Sequence, residues 1–206
     1  MVLSPVPSGR VAGHRRRVGL FGGSFNPPHA GHRHASLLAL KRLGLDEVWW
    51  LVSPANPLKQ AGALAPYEAR CAAARELARH PRIRVSTFER DAGLIYTRDT
   101  LRALIQAHKE IRFVWIMGAD NLATIHRWQR WPEIFELVPV AVIDRPSYRM
   151  KAMASPAALR FADRRVDEDD ASLLAVLPPP AWCFLSGPLS LLSSTRLRRQ
   201  GPRRRT

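Results

Sequence analysis

The sequence feature that most restricts the possible folds of this chain is a stretch with glycines and histidines at Gly22–His32, which reads GGSFNPPHAGH. It follows an apolar run at Arg17–Phe21 that is typical of a buried strand, and it precedes a leucine-rich segment with helical spacing. The stretch is therefore a strand-to-helix loop. Its glycines let the backbone approach a ligand, and the helix start offers free amides to an anion. His29 and His32 stand three residues apart, so both can face one ligand.

Strands and helices alternate along the rest of the chain. The predicted strands are Arg17–Phe21, Glu47–Val52, Ile83–Ser86, Arg112–Met117, Pro139–Ile143 and Trp182–Leu185. The predicted helices are His29–Leu43, Pro66–Arg79, Thr97–Lys109, Asn121–Arg127 and Trp131–Leu137, with a short one near Ser194. Because the strand runs are apolar throughout, we expect an α/β fold with a doubly wound parallel sheet flanked by helices.

Length and composition predict one domain with basic ends. We expect a mobile basic extension at 1–16, a single domain at 17–199 and a basic tail at 200–206. The stretch Met150–Pro180 is less regular, and we interpret it as an insert against the sheet edge. No apolar run is long enough to cross a bilayer and no signal-peptide core follows Met1, so we expect a cytoplasmic protein without a membrane partner. Cys71 and Cys183 have no metal-ligand spacing and predict no disulfide framework.

The net charge indicates anionic partners. The sequence holds 32 Lys and Arg against 17 Asp and Glu, a formal charge of +15 at pH 7, and many arginines lie near the two ends. Such a balance favours nucleotides or nucleic acid as ligands. Zinc spacing, an aromatic RNP pattern and heptads are missing from the sequence, which argues against a nucleic-acid-binding function. Solvated tails remain the simplest interpretation of the terminal arginines.

Two further candidate motifs follow predicted strands, where a doubly wound sheet places its ligands. After Glu47–Val52, Asn56 offers a donor and an acceptor and Lys59 a cation, although an ordinary surface turn fits equally well. At Tyr96-Thr97, free amides at a helix start can receive an anion or a polar ring substituent. Capping of that helix by Thr97 or Asp99 is the alternative.

The next two motifs follow the fourth and fifth predicted strands. Gly118 lets a ligand approach, and Asp120 can bind a ribose hydroxyl or cap the next helix. Trp128 can stack on a flat ring, as aromatic side chains do with bases, or fill the core together with Trp131. Arg145 can hold a phosphate with its forked donors or pair locally with the preceding aspartate.

The last motif, SSTRLR, places three hydroxyls at a predicted helix start, at Ser193, Ser194 and Thr195. Arg198 follows within one turn. Hydroxyls, free amides and a guanidinium together are typical of a second phosphate site, and a simple N-cap box is the alternative.

Together these motifs resemble those of the bacterial nicotinate-nucleotide adenylyltransferases, within the nucleotidyltransferase superfamily that carries the (H/T)xGH signature. The resemblance covers about Val18 to Arg198. It rests on GGSFNPPHAGH, PANPLK, YTRDTL, GADN followed by HRW, Asp-Arg-Pro and SSTRLR. It differs at Asn26, where many relatives have Asp, and in ending at Thr206, where most relatives continue with another helix.

The resemblance implies a Rossmann-like fold and transfer of AMP from ATP to nicotinate mononucleotide, giving deamido-NAD and pyrophosphate in NAD biosynthesis. It implies Mg²⁺ carried with ATP and no protein-bound metal. The catalytic residues would be His29, His32 and Arg198. ATP would contact Gly22, Gly23, Ser24, Phe25, His29, His32, Gly118, Asp120, Ser193, Ser194, Thr195 and Arg198. The mononucleotide would contact Asn56, Lys59, Tyr96, Thr97, Trp128 and Arg145.

Three other functions stay open at this point. An adenylyltransferase for phosphopantetheine usually has Thr at the position of His29, and a nicotinamide mononucleotide enzyme differs only by one small group on the ring. A non-catalytic, basic nucleic-acid-binding protein with a nucleotide fold is the alternative from another class. The sequence also leaves a homo-oligomer open.

Overall fold

A computed structural model of the protein describes residues 15–55 and 64–187. Its strands are β1 (Arg16–Gly23), β2 (Glu47–Val52), β3 (Ile83–Ser86), β4 (Ile111–Gly118), β5 (Val140–Ile143), β6 (Arg165–Val166) and β7 (Trp182–Leu185). Its helices are α1 (Ala30–Arg42), α2 (Tyr67–Ala78), α3 (Phe88–Asp91), α4 (Thr97–Ala107), α5 (Ala119–Leu122), α6 (Trp131–Leu137), α7 (Arg149–Met153) and α8 (Pro156–Arg160). Short 3₁₀ helices lie at Ile125–Arg127, Ala162–Arg164 and Ala171–Val176.

The seven strands form one sheet in the order β3-β2-β1-β4-β5-β7-β6, and every neighbouring pair is parallel. The predicted doubly wound α/β fold is confirmed. The order reverses between β1 and β4, because β2 and β3 extend to one side and β4 and β5 to the other. Ligands of such sheets bind in the crevice at this switch point, so the loops after β1 and β4 are placed to form a site.

Two buried clusters cover the two faces of the sheet. Side chains alternate along β1, so Leu20 lies in one cluster and Phe21 in the other. The indole of Trp49 belongs to the first cluster and that of Trp50 to the second. Strands that bury both faces carry the near-continuous apolar runs seen in the sequence. After α1, Gly44 adopts a φ of +59°, a left-handed conformation that glycine tolerates and that ends the helix.

Some elements differ from their prediction. The helix predicted at Asn121–Arg127 is split into α5, which begins at Ala119, and the 3₁₀ helix at Ile125–Arg127. Between them the Thr124 hydroxyl lies 3.1 Å from the Asp120 carbonyl oxygen, a side-chain bond of the kind that disturbs helices. The short helix α3 was not predicted.

The irregular stretch Met150–Pro180 lies at the sheet edge, as expected. It contributes α8, two 3₁₀ helices and the edge strand β6, which pairs with β7. In the described part of the chain, no helix has the length and apolar character needed to span a membrane. The domain limits at 16 and 199 and the helix near Ser194 stay predictions, because residues 1–14, 56–63 and 188–206 lie outside the described ones.

Candidate active site

The two histidines of the glycine-rich stretch lie together at the start of α1. His29 is the N-cap residue, with extended backbone, and His32 lies in the first turn. Their ring centroids are 3.9 Å apart. The backbone N–H of His29 donates to Nδ1 of His32 at 3.1 Å. When His32 is neutral its hydrogen therefore resides on Nε2, which becomes a donor for a ligand.

The pair is neutral at physiological pH. Burial, followed by the positive charge of Arg145, lowers the pKa of His29 from 6.5 to about 4. Burial is also the main reason that the pKa of His32 falls to about 3, with the charges of His29 and Arg145 acting in the same direction. His29 is 7% exposed, and among the described residues its Nδ1 has no hydrogen-bond partner. A buried polar atom without a partner at a helix start is typical of a site that a ligand completes.

Aromatic packing fixes the position of His32. Its ring lies 4.9 Å from that of Phe25, which stacks on Trp50 at 4.9 Å with a 15° interplanar angle. The Trp50 indole donates to the Ser36 hydroxyl at 2.7 Å, and that hydroxyl donates to the His32 carbonyl oxygen at 2.9 Å. Phe25 has a φ of +44°, which is rare for a bulky residue and is a feature of functional loops. Since its side chain is 1% exposed, Phe25 can reach ATP only through its backbone.

The two glycines before the loop have different surroundings. A Cβ added to Gly22 would lie 2.4 Å from Cη2 of Trp115, a rigid ring that is 2% exposed. At Gly23 the nearest atom, on the Phe25 ring, would be 3.4 Å away. Gly22 is thus required by the close approach of β4, whereas Gly23 and Ser24 are candidates for ligand contact through the backbone.

The loops after β4 and β5 meet at an ion pair. The Arg145 guanidinium pairs with the Asp120 carboxylate across 25 residues of sequence. A Cβ at Gly118 would lie 2.4 Å from Oδ1 of Asp120, so glycine at this position leaves room for the carboxylate. The side chain of Asp144 pairs with Arg149. The alternative of a local Asp144–Arg145 ion pair is therefore wrong for the side chains, and Arg145 is held close enough to lower both histidine pKa values.

Among the described residues, no side chain caps the N-terminus of α4. Tyr96 is the N-cap residue, and it is 39% exposed. The prediction that Thr97 or Asp99 caps this helix is wrong, because the helix begins at Thr97 itself and Asp99 pairs with Arg98. Within the described part of the chain, the Thr97 amide and the exposed Tyr96 ring remain available for a ligand.

The two tryptophans after β4 are both half-buried and pack against the first cluster. Trp131 lies edge-on to Phe135 and Phe161, with ring centroids 6.3 and 6.1 Å away. Trp128 follows the 3₁₀ helix Ile125–Arg127 and is half-buried at the margin of the same cluster. Its predicted stacking on a ligand ring stays a prediction.

Several predicted site residues cannot be located. Asn56, Lys59, Ser193, Ser194, Thr195 and Arg198 lie outside the described residues. In residues 15–55 and 64–187, no cluster of three or more His, Cys, Asp or Glu side chains is arranged to hold a metal ion.

Sequence reasoning missed one residue near this site. Arg70 of α2 is 3% exposed, and its guanidinium donates to carbonyl oxygens in the loops after β1 and β2. The only signal in the sequence is a charged residue beside the apolar Cys71 and Ala74 of an otherwise ordinary helix.

Comparison with known proteins identifies relatives over nearly the whole chain. The model of the cytidylyltransferase-like family matches residues 20–200. A protein of Methylorubrum extorquens named "probable nicotinate-nucleotide adenylyltransferase" is 59% identical over 182 residues, which is 88% of this chain and 98% of that protein. A protein of Agrobacterium fabrum with the same name is 53% identical over 181 residues, covering 88% of this chain and 97% of that protein.

A solved structure shares the fold at low sequence identity. It is the nicotinic acid mononucleotide adenylyltransferase of Plasmodium falciparum complexed with NaAD, with a TM-score of 0.67 and 17% identity. The match covers 89% of this chain and 83% of that one. At this identity the likeness supports the architecture only.

Proposed function

The chain belongs to the cytidylyltransferase-like family, in its nicotinate-nucleotide adenylyltransferase branch, and from this premise we propose how its site works. The reaction is transfer of AMP from ATP to nicotinate mononucleotide, which yields deamido-NAD and pyrophosphate for NAD biosynthesis. The observation that carries the proposal is the neutral histidine pair at the start of α1, with His29 buried and His32 half-buried, beside a switch point of the sheet. Neutral imidazole donors and free helix amides suit an anionic ligand that arrives with its own charge.

The chemistry needs no protein nucleophile. A phosphate oxygen of the mononucleotide attacks the α-phosphorus of ATP, a new P–O bond forms, and the bond to the bridging oxygen of pyrophosphate breaks. Catalysis then consists of alignment and of stabilising charge on the transferring and leaving groups. His29 and His32 supply donors to the ATP phosphates, with Gly22, Gly23, Ser24 and the Phe25 backbone lining the approach. On the family's motif, we also assign Ser193, Ser194, Thr195 and Arg198 to ATP binding.

We propose that Arg145 brings the second phosphate to the same point. Asp120 holds its guanidinium, and its charge is felt at both histidines. We assign Arg145 to the mononucleotide phosphate, where forked donors bind two oxygens. Asp120 and Gly118 are assigned to the ATP side, and the ribose contact of Asp120 is compatible with its remaining acceptor capacity.

The pyridine ring is assigned to the start of α4. Uncapped amides and the dipole of an 11-residue helix favour a carboxylate over a neutral amide. Tyr96 and Thr97 border this position, and Trp128 offers a flat face for stacking. Asn56 and Lys59 complete the mononucleotide set by the family's motif.

We propose that Mg²⁺ enters bound to the triphosphate. The described residues do not form a metal cluster of their own, so no step here is assigned to a protein-held ion. When bound, the cation neutralises phosphate charge, and the protein's contribution is the set of histidine and arginine donors.

The test is pyrophosphate release that requires both substrates. Purified protein with ATP and nicotinate mononucleotide should release pyrophosphate and form deamido-NAD in equal amounts. His32→Ala should lose roughly 10²–10³ in kcat, the usual effect of removing one preorganised donor. His34 is a half-buried histidine of α1 outside the proposed site, so His34→Ala is the matched control and should retain turnover. Normal kcat in a folded His32→Ala protein would remove His32 from the mechanism.

A further inference from the structure

Arg70 is a buried guanidinium that the mechanism above does not use. Its Nε donates to the carbonyl oxygen of Ala65 at 3.0 Å. One terminal nitrogen donates to the carbonyl oxygens of Ser24 at 2.7 Å and Ser53 at 2.8 Å. The other donates to the carbonyl oxygen of Pro54 at 3.3 Å. Four carbonyl oxygens therefore surround a side chain that is 3% exposed.

This environment is costly for a cation. Among the described residues no carboxylate forms an ion pair with Arg70, and its guanidinium lies 5.2 Å from the centre of the Tyr67 ring. Burial lowers the pKa of Arg70, as expected for a guanidinium that is removed from water without a carboxylate beside it. An apolar side chain of similar volume would fill the space without the desolvation cost. The requirement for arginine must therefore lie in the carbonyl groups that it holds.

Those carbonyl groups belong to two different substrate loops. Ser24 lies in the loop between β1 and the histidine pair, and Ser53 and Pro54 open the loop that follows β2. Ala65 lies just before α2, and its N–H donates to Oδ1 of Asn26 at 3.1 Å. Arg70 and Asn26 thus fasten the histidine loop to the chain on both flanks of residues 56–63.

We propose that Arg70 is a positioning residue that holds the histidine loop and the β2 loop in one fixed arrangement, so that ATP and its phosphate acceptor meet in line. The inference rests on the proposed function, which assigns ATP to the first loop and the mononucleotide to the second. Misplacing reacting groups by about 1 Å costs on the order of 100-fold in rate. Losing Arg70 should therefore lower the rate of transfer more than it lowers substrate affinity.

The decisive comparison is Arg70→Met against Leu77→Ala. Methionine keeps the unbranched apolar stem and removes all donors, whereas Leu77, seven residues later on the same helix, is partly buried and packs on the second cluster. Both variants are assayed at a temperature where circular dichroism shows them fully folded. Arg70→Met should lose about 100-fold in kcat, and Leu77→Ala should stay within about twofold of the parent.

Equal kcat values for the two variants would overturn the inference and reduce Arg70 to a structural role. Arg70→Lys covers the case in which Arg70→Met does not fold. Lysine keeps the charge but cannot reach four carbonyl oxygens at once, so its kcat should lie between those of the parent and Arg70→Met. A parental kcat in Arg70→Lys would show that charge, and not the carbonyl contacts, is what matters.

Hydrogen exchange separates failure of this inference from failure of the proposed function. The backbone amides of residues 24–26, His29, Ser53 and Ala55 should exchange at least tenfold faster in Arg70→Met than in Leu77→Ala. Unchanged exchange in both loops contradicts the positioning role even where the parent enzyme is active. Faster exchange in both loops, in a protein that does not consume nicotinate mononucleotide, supports the role of Arg70 and rejects the assigned substrate.

Discussion

Replacement of His32 by asparagine should alter how the stability of the protein depends on pH. Asparagine keeps an acceptor near the position of Nδ1, so His32→Asn preserves the bond from the His29 backbone while removing the titrating group. In the parent, the pKa of His32 is 6.5 when unfolded and about 3 when folded. The unfolded chain therefore binds the extra proton first as the pH falls. The contribution of neutral His32 to the free energy of unfolding is therefore complete above pH 6.5 and decreases as the pH falls below 6.5.

The magnitude follows from the unfolded pKa alone. A pH of 5 lies 1.5 units below the pKa of 6.5 of the unfolded imidazole, so the unfolded imidazole is protonated while the folded one is still neutral. At about 1.4 kcal/mol per unit, the parent should lose about 2 kcal/mol relative to His32→Asn between pH 8 and pH 5. Urea denaturation at several pH values measures this difference. A difference that stays constant to within about 0.5 kcal/mol would refute the neutral state of folded His32.

Glu89 supplies a control of opposite sign. It is 5% exposed, accepts a hydrogen bond from the Thr100 hydroxyl at 3.0 Å, and burial raises its pKa from 4.5 to about 7. As the pH falls, Glu89 binds its proton in the folded protein before it does so in the unfolded chain. The contribution of Glu89 to the free energy of unfolding therefore grows as the pH falls from 7 towards 4.5. The parent should therefore gain about 2–3 kcal/mol relative to Glu89→Gln between pH 8 and pH 5.

Two other substitutions test the packing of the site. Gly22→Ala should cost about 1–3 kcal/mol of stability, because the new methyl group meets the Trp115 ring at 2.4 Å. Gly23→Ala, with its nearest atom at 3.4 Å, is the control, and equal melting temperatures for both variants would contradict the steric argument. Trp128→Ala should raise KM for the mononucleotide about tenfold with little change for ATP, since stacking is worth roughly 1–3 kcal/mol. Trp131→Ala should mainly lower the melting temperature; the opposite pattern for the two tryptophans would reverse their assigned roles.

The sheet could be predicted because its signals are local. The bounds predicted for Glu47–Val52, Ile83–Ser86 and Trp182–Leu185 coincide with β2, β3 and β7. Continuous apolar runs bounded by polar or proline-containing turns leave few alternatives to a buried parallel strand. The histidine pair was equally accessible to prediction, since a spacing of three residues at a helix start fixes a shared face whatever the rest of the chain does.

Contacts between distant residues could not be predicted. The sequence offers no reason to join Asp120 to Arg145, and the Asp144–Arg145 ion pair that it left open as an alternative does not form between the side chains. In the sequence Arg70 resembles a surface residue of a helix. Its burial comes from contacts with the loops after β1 and β2, which are distant in sequence. Such contacts depend on how the parallel strands align, which no short pattern encodes.

Asn26 illustrates a partial success. The sequence identified it as a departure from the aspartate of many relatives, with the loss of one negative charge. In the structure, Oδ1 of Asn26 accepts a hydrogen bond from the Ala65 N–H at 3.1 Å, a contact that a carboxylate oxygen could also accept. The charge is lost at this position, but the acceptor that joins the two loops is kept.

The most direct test of the assigned activity is a comparison of phosphate acceptors. Pyrophosphate release from ATP is measured with nicotinate mononucleotide, nicotinamide mononucleotide and phosphopantetheine under identical conditions. Uncapped amides at the start of α4 favour a carboxylate, so kcat/KM should be highest with nicotinate mononucleotide and at least tenfold lower with the amide. Phosphopantetheine should give no release above background. Equal or greater efficiency with either alternative acceptor would contradict the assignment of this site to nicotinate mononucleotide.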